Sequence, residues 1–203
     1  EDKVEHKVVD LAKGEHKSDE FAKINPNQAI PALTEGDFKL YESNAIMNYL
    51  AQKHGLTSWL GGDSLQGKAL VDQYLHWHHT HTRKGTFPYI FNSVFCYVFG
   101  APPNAEQRVE GKKTFDNTLK FLNENQLAAN KFIAGENPTI ADCACYAEMQ
   151  QLLEFADEFD NFNAYPNFTR WMKDFEALNP EVVKKHSESW KQLAAMAAQK
   201  RSA

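Results

Sequence analysis

The residues best suited to hold a ligand lie in two short segments of this 203-residue chain, 25–33 and 40–46. The first segment reads Asn-Pro-Asn-Gln-Ala-Ile-Pro-Ala-Leu, and Pro31 within it opens a predicted strand. A proline cannot donate to a strand ladder, so it sits at a sheet edge or in a special turn. If the Ile30-Pro31 bond is cis, the backbone of Ile30 can turn outward and pair with an extended ligand; an ordinary trans turn is the alternative.

The second segment places a carboxylate and a hydroxyl, Glu42 and Ser43, at the start of a predicted helix. The exposed amides and the positive dipole end of a helix start attract carboxylates. Ser43 can bond the same carboxylate while Glu42 pairs with an ammonium group, and an α-amino acid carries both groups. The alternative is that Ser43 only caps its helix. The nearby Ile30-Pro31 pair favours ligand binding.

The elements that must position these residues form a small α/β unit. Glu35-Gly36-Asp37 is a hairpin signal with glycine in the turn, and Ile46, Tyr49 and Leu50 have helical spacing. The predicted elements are a strand at 4–11, a helical or turn-like connector at 14–21, hairpin strands at 31–34 and 38–41, and a helix from Ser43 that ends at His54-Gly55.

A second, all-helical unit is predicted after the glycine-containing break at 59–64, which gives domains 1–56 and 66–203 with a linker at 57–65. The predicted helices span 65–99 (one or two helices, with Gly85 and Pro88 as candidate kinks), 105–127, 139–155 and 166–178, and a charged tail follows at 180–203.

Composition excludes several classes of protein. The net charge of −5 leaves no basic field, so we expect no nucleic-acid partner. No apolar run approaches the roughly 18 residues of a membrane span, and no signal peptide is recognisable. The three cysteines have no scaffold spacing, which suits a reducing compartment. We therefore expect a cytoplasmic protein.

Several segments together resemble one known family. Segment 13–21 (Lys-Gly-Glu-His-Lys-Ser-Asp-Glu-Phe), Asn25-Pro26 and the two ligand-binding segments are similar to the thioredoxin-like domain of cytosolic glutathione transferases, the theta class in particular. Segment 71–80 resembles the first helix of the theta C-terminal domain, and segment 135–142 resembles the family's buried capping motif. The resemblance covers nearly the whole chain and implies a glutathione transferase fold.

The resemblance also implies roles for individual residues. The backbone of Ile30 would bond the cysteinyl part of glutathione, with Pro31 cis. Glu42 and Ser43 would hold the γ-glutamyl end, and His16 would lie near the glycyl carboxylate.

Two further positions follow from the same resemblance. Theta enzymes often carry a lysine where this chain has Ala29, so the neutral Gln28 would substitute for it, with a weaker hold on a carboxylate. Arg83 or Lys84 would lie at the active-site edge of the long helix, near the thiol.

We assign no catalytic residue. In this family a hydroxyl lowers the pKa of the glutathione thiol, which is the nucleophile. In theta-type enzymes the hydroxyl belongs to a serine just after the first strand, whereas this sequence resembles the family from the second strand onward. The preceding strand and helix would be roughly 25 residues. Tyr41 lies next to the site motif, but nothing indicates this role for it.

Other candidate motifs have simpler interpretations. Thr139 and Asp142 form a capping-box-like pair that concerns folding. The cysteine pair Cys143 and Cys145 lies mid-helix, where i and i+2 point apart, which favours core packing over redox chemistry.

Histidines and aromatics cluster along the long helix. His76, His78, His79 and His81 lack a carboxylate or cysteine that would complete a metal site, so we expect no metal there. The aromatics could line a pocket for an apolar co-substrate or fill the core: Phe87, Tyr89, Phe91, Phe95, Tyr97 and Phe99.

The resemblance implies a transferase that adds the thiolate of its co-substrate glutathione to small, mostly apolar electrophiles and that acts as a homodimer. Two alternatives stay open. One is a non-catalytic binding or assembly module of the same fold. The other is a glutathione-dependent reductase or peroxidase.

Overall fold

The computed structural model of the chain describes residues 4–11, 13–155 and 162–201. The chain divides into two compact units, Glu1–Gly55 and Leu56–Ala203. No helix in the described ranges is both long enough and apolar enough to cross a membrane.

The first unit contains a β-hairpin followed by a helix. Strands β1 (Ala32–Glu35) and β2 (Phe38–Tyr41) are antiparallel, and Gly36 in their turn has a φ of 57°, which glycine adopts without steric cost. A 3₁₀ turn (Glu15–Lys17) and a short helix α1 (Asp19–Ala22) precede the hairpin, and α2 (Ser43–Lys53) follows it. The predicted hairpin and the predicted helix from Ser43 are confirmed.

The predicted strand at 4–11 is wrong. In the structure the segment has no regular secondary structure, and Val8 is 93% exposed. A strand needs a neighbouring backbone to pair with, and the hairpin is the one sheet of the described residues. The β-branched side chains of this segment therefore give strand propensity without a ladder.

Helix α2 is attached to the hairpin by side chains near its C-terminal end. The Tyr49 hydroxyl donates a 2.6 Å hydrogen bond to Oε2 of Glu35, and Lys53 pairs with the other oxygen of that carboxylate. The rings of Phe38 and Tyr49 lie 5.1 Å apart. These contacts are exposed and contribute little stability. They hold the C-terminal half of α2 against the turn end of the hairpin.

The second unit is helical throughout its described residues, as predicted. Its α-helices are α3 (Leu65–Thr80), α4 (Thr82–Ile90), α5 (Cys96–Phe99), α6 (Ala105–Phe121), α7 (Leu127–Ala129), α8 (Ile140–Phe155), α9 (Pro166–Glu176) and α10 (Pro180–Arg201). A 3₁₀ turn (Thr57–Leu60) precedes α3, and π-helical turns lie at Phe91–Phe95 and Leu122–Gln126. Asp142 of α8 accepts from the backbone N–H of Thr139 (2.8 Å), which confirms the predicted capping pair.

Two predictions for this unit differ in outcome, since the division of the long helical region is compatible with the structure and the charged tail is wrong. Region 65–99 forms more than one helix, as the prediction allowed: the chain breaks at His81, where the backbone turns to φ −127° and ψ −68°, and Gly85 and Pro88 lie inside α4. The predicted charged tail is instead the 22-residue helix α10. Its Leu193 and Ala197 pack against Val94 and Val98.

Candidate functional site

The register of the hairpin brings the two candidate segments, 25–33 and 40–46, to one end of the sheet. Ala32 pairs with Tyr41 at that end. Because Pro31 precedes Ala32 and Glu42 follows Tyr41, both segments leave the hairpin at the end opposite its turn. The α/β unit thus places the exposed residues Ile30, Glu42 and Ser43 around one end of a two-stranded sheet.

The loop that precedes β1 is shaped from within by Asn25. This buried side chain donates a 2.6 Å hydrogen bond to the carbonyl of Ala29 and accepts one of 3.0 Å from the N–H of Asn27. The Ile30–Pro31 bond is cis. Ile30 is 46% exposed, and its N–H and C=O groups have no partner among the described residues. An extended ligand can therefore pair with this backbone.

Ser43 does not act as a helix cap. It is the first residue of α2, Glu42 occupies the N-cap position, and no side-chain hydrogen bond caps the helix. By contrast, Ser18 and Ser64 accept from the N–H groups of Phe21 (3.1 Å) and Gly67 (3.0 Å) at the starts of their helices. The Ser43 hydroxyl and the Glu42 carboxylate have no partner within the described part of the chain. Both groups stay available for a ligand.

A reciprocal clamp of two hydrogen bonds joins Gln28 and Lys17, the residue next to His16 in sequence. The Gln28 side-chain amide donates to the carbonyl of Lys17 (3.1 Å), and the Lys17 ammonium donates to the carbonyl of Gln28 (3.3 Å). Nδ1 of His16 is buried without a hydrogen-bond partner. Sequence reasoning missed Lys17, which places a positive charge beside Gln28, one residue before the position of Ala29.

Arg83 belongs to the helical unit and is already paired there. Its Nη1 lies 2.5 Å from Oε1 of Glu148 on α8, and its guanidinium carbon lies 4.5 Å from the centre of the Phe87 ring. Sequence reasoning missed Glu148, because the two residues lie 65 positions apart and no local pattern links them.

Histidines of α3 and of its end contact aromatic neighbours, and the rings of His78 and His79 also meet edge to face, with centres 5.6 Å apart. The described residues contain no group of three or more His, Cys, Asp or Glu side chains that could hold a metal ion. His78 is buried 3.5 Å from the Tyr74 hydroxyl, and burial lowers the pKa of His78 to about 4. His81 stacks on Trp77 at 4.5 Å.

The cysteines of α8 contribute to packing, as predicted. Burial raises the pKa of Cys143 to about 12 and raises the pKa of Cys145 still further. Neither thiol is therefore available as a thiolate near neutral pH.

The aromatics of α4 and the following π turn divide between core and cavity. Tyr89 is buried in the core. Phe87, Pro88 and Phe91 line an open cavity of about 570 Å³ against α6. Phe95 instead contacts Trp190 of α10, with ring centres 6.3 Å apart.

Family models match both parts of the chain. The glutathione S-transferase N-terminal domain matches residues 1–52, and the glutathione S-transferase C-terminal domain matches residues 87–179. Among curated proteins, human glutathione S-transferase theta-1 is 33% identical over 174 residues, which cover 85% of this chain and 72% of the relative.

Solved structures agree with this result. The crystal structure of human glutathione transferase theta-2 in complex with glutathione and an unknown ligand gives a TM-score of 0.87 at 31% identity and covers 96% of this chain and 79% of that chain. A human theta-class transferase in complex with the glutathione conjugate of 1-menaphthyl sulfate gives a TM-score of 0.85 at 31% identity and covers 95% and 79%.

The chain therefore belongs to the glutathione S-transferase family, a family of enzymes. Within that family its similarity is to the theta class. The resemblance inferred from the sequence is confirmed, as is the expected fold of an α/β unit followed by a helical unit.

Proposed function

We propose that the end of the hairpin and the start of α2 form the glutathione-binding half of a transferase site. In this assignment Ile30 pairs with the cysteinyl backbone, while Pro31 shapes the turn. Glu42 binds the γ-glutamyl ammonium group, and Ser43 binds its carboxylate at the positive end of the α2 dipole. The observation that carries the proposal is the unused Ser43 hydroxyl at the same sheet end as Ile30.

The glycyl carboxylate is assigned to the Lys17–Gln28 clamp and the neighbouring His16. A carboxylate favours donors and positive charge. The buried, unpartnered Nδ1 of His16 and the Lys17 ammonium supply these within one short segment. Lys17 thereby supplies a cation next to Ala29, the position where theta enzymes often carry a lysine.

The proposed reaction adds the glutathione thiolate to small apolar electrophiles; a role of Arg83 near the thiol is what the family resemblance implies. One solved human theta-class structure is a complex with glutathione and another is a complex with a glutathione conjugate, which supports both the co-substrate and the reaction class. The apolar cavity lined by Phe87 and Phe91 is a candidate for the electrophile. The catalytic hydroxyl is left unassigned.

We propose a cytoplasmic homodimer that acts in detoxification, in line with the family resemblance and with three cysteines that form no disulfide. Ala29 favours the non-catalytic binding module as the second candidate. A reductase or peroxidase stays an alternative that needs a cysteine or serine ahead of the region of resemblance; Cys143 and Cys145 do not fill that role, because burial raises the pKa of both.

A matched pair of serine variants tests the site. Ser43→Ala is expected to weaken glutathione binding about tenfold, because a hydrogen bond to a charged group is lost, and to leave the free energy of unfolding unchanged, because Ser43 caps nothing. Ser64→Ala removes a real cap and is expected to cost about 1 kcal/mol of stability with unchanged affinity. Titration calorimetry and urea unfolding measure the two quantities.

The outcomes separate the hypotheses. Equal glutathione affinities of the wild type and Ser43→Ala would show that the site assignment is wrong. Intact binding with no conjugation of any electrophile in a broad panel would favour the non-catalytic module.

A further inference from the structure

Both polar ends of the Asn25 side chain are bonded, and each makes a different contact. Its oxygen accepts from the N–H of Asn27 at 3.0 Å, and its NH₂ group donates to the carbonyl of Ala29 at 2.6 Å. The N–H of Asn25 donates to the carbonyl of Phe21, and the N–H of Gln28 donates to the carbonyl of Asn25, each at 2.9 Å. Because Asn25 is only 2% exposed, it is the fixed centre of the loop that leads to β1.

The oxygen of this side chain is sufficient to make the turn. An Asx turn needs a side-chain oxygen that accepts from the N–H two residues further on, and aspartate supplies that oxygen as well as asparagine does. The NH₂ group is additional to the turn. Its bond to the Ala29 carbonyl satisfies a buried donor, and it also fixes the orientation of the peptide unit that joins Ala29 to Ile30.

That peptide unit carries the N–H of Ile30. The bond between Ala29 and Ile30 is trans, so its carbonyl oxygen and its N–H point to opposite sides of one rigid plane. Because the oxygen is turned toward the buried Asn25, the N–H is turned away from it. Ile30 is exposed, and its N–H has no partner in the described part of the chain. The bond to the carbonyl also polarises the peptide unit and so strengthens the N–H as a donor.

We propose that Asn25 is a positioning residue that orients the Ile30 N–H toward the cysteinyl backbone of bound glutathione. This inference rests on the proposed function and concerns a residue that does not itself touch the ligand. Asn25, Ala29 and Ile30 all lie in the first unit. Without the bond to Ala29 the peptide unit can rotate, and the ligand has to order it on binding, which weakens the affinity.

Two variants test the donor separately from the turn. Asn25→Asp keeps the accepting oxygen, but its second oxygen faces the Ala29 carbonyl and repels it. Asn25→Ser introduces no charge; its hydroxyl can still accept from Asn27 but is too short to reach Ala29. Each variant is expected to raise the dissociation constant for glutathione about fivefold, as for the loss of one hydrogen bond. Titration calorimetry on the full-length protein measures this constant, and Asn25→Ser alone decides if Asn25→Asp does not fold.

Hydrogen exchange at the Ile30 amide separates positioning from folding. In the wild type, glutathione is expected to slow the exchange of this amide, which NMR follows in isotope-labelled protein. In both variants this protection is expected to be lost even at saturating glutathione. If Asn25 served folding alone, the variants would lower the free energy of unfolding in urea but keep the protection of Ile30 at saturation.

Asn130→Asp is the matched control. The Asn130 side chain is partly buried in the helical unit and donates a 3.0 Å hydrogen bond to the carbonyl of Gln126. As with Asn25 and Ala29, donor and acceptor lie four residues apart. The control variant is expected to lower the free energy of unfolding while the affinity for glutathione and the protection of Ile30 stay at their wild-type values.

The outcomes distinguish the two proposals. If the wild type binds glutathione and protects Ile30, but Asn25→Ser keeps both the affinity and the protection, the positioning role is overturned and the proposed function stands. If the wild type binds glutathione without protecting Ile30, the pairing assigned to Ile30 and the role of Asn25 are both wrong. If the wild type does not bind glutathione, the proposed function itself is overturned.

Discussion

The indole Nε1 of Trp171 on α9 donates a 2.8 Å hydrogen bond to Oδ1 of Asp142 near the start of α8. The same oxygen accepts from the backbone N–H of Ile133, and Oδ2 accepts from the N–H and the hydroxyl of Thr139. Asp142 is fully buried. One carboxylate therefore joins α9, the start of α8 and the segment before it.

Asp142→Asn is expected to destabilise the protein by about 3 kcal/mol. The amide keeps one accepting oxygen and turns an NH₂ group toward donors that then lack partners, each at a cost of about 1–3 kcal/mol. Urea unfolding measures the loss. Asp116→Asn is the control: Asp116 forms an exposed pair with Lys112, and such pairs contribute about 0–1 kcal/mol. Equal effects of the two variants would contradict the buried-network interpretation.

Gly85→Ala is expected to lower the stability of the helical unit by about 2 kcal/mol. A Cβ atom at Gly85 would lie 2.6 Å from the backbone N of Phe115, so α4 and α6 would have to separate. Thermal unfolding gives the change. Lys113→Ala, at an exposed position of α6, is expected to shift the free energy of unfolding by less than about 0.5 kcal/mol. A Gly85→Ala protein as stable as the wild type would show that the helix crossing can relax.

The stability of the chain is expected to fall as the pH falls from about 6.5 to about 4. The pKa of His78 is lowered from its ordinary 6.5 to about 4, mainly by burial and further by the nearby charges of His79 and Arg83. In that window the unfolded state binds more protons than the folded state. The loss reaches roughly 3 kcal/mol and stops below the folded pKa, where both states are protonated.

The variant His78→Gln isolates this effect. It is expected to flatten the dependence of the unfolding free energy on pH across that window, since a neutral amide replaces the imidazole. The same pH dependence of the unfolding free energy is measured for His186→Gln as a comparison. Burial also lowers the pKa of His186, but this residue lies on α10, is less buried and bonds to Gln150. A His78→Gln profile as steep as that of the wild type would assign the acid sensitivity elsewhere.

The elements that the sequence predicted well are those with local signals. The hairpin follows from a glycine turn between two short strands, and α2 follows from apolar spacing bounded by Ser43 and Gly55. Segment 4–11 shows the limit of such signals, because strand propensity says nothing of the partner that a strand requires.

Helix α10 was not predicted, because its many charged residues are typical of a solvated tail. Partly buried and buried residues recur along it at helical spacing: Val183, His186, Trp190, Leu193 and Ala197. That pattern predicts one buried face, but the abundance of lysine and glutamate around it favoured a solvated tail. The spacing of these apolar and aromatic residues predicts the helix, whereas the overall composition of the segment does not.

The candidate site was predicted in its local motifs and missed in its long-range contacts. Glu42 and Ser43 are adjacent in sequence, and the hairpin explains why Ile30 lies at the same sheet end. The contact of Lys17 with Gln28 and that of Arg83 with Glu148 depend on how distant segments fold together. Spacing along one chain does not encode such contacts.

Glu42 places binding and folding in opposition. Its φ of 71° lies where glycine is comfortable and a residue with a Cβ atom is strained, at a cost of about 1–3 kcal/mol. Glycine would relieve this strain, so Glu42→Gly is expected to give a more stable protein. It would also remove the carboxylate that the proposed function assigns to an ammonium group, so under that proposal the chain accepts a weaker fold to keep a recognition group.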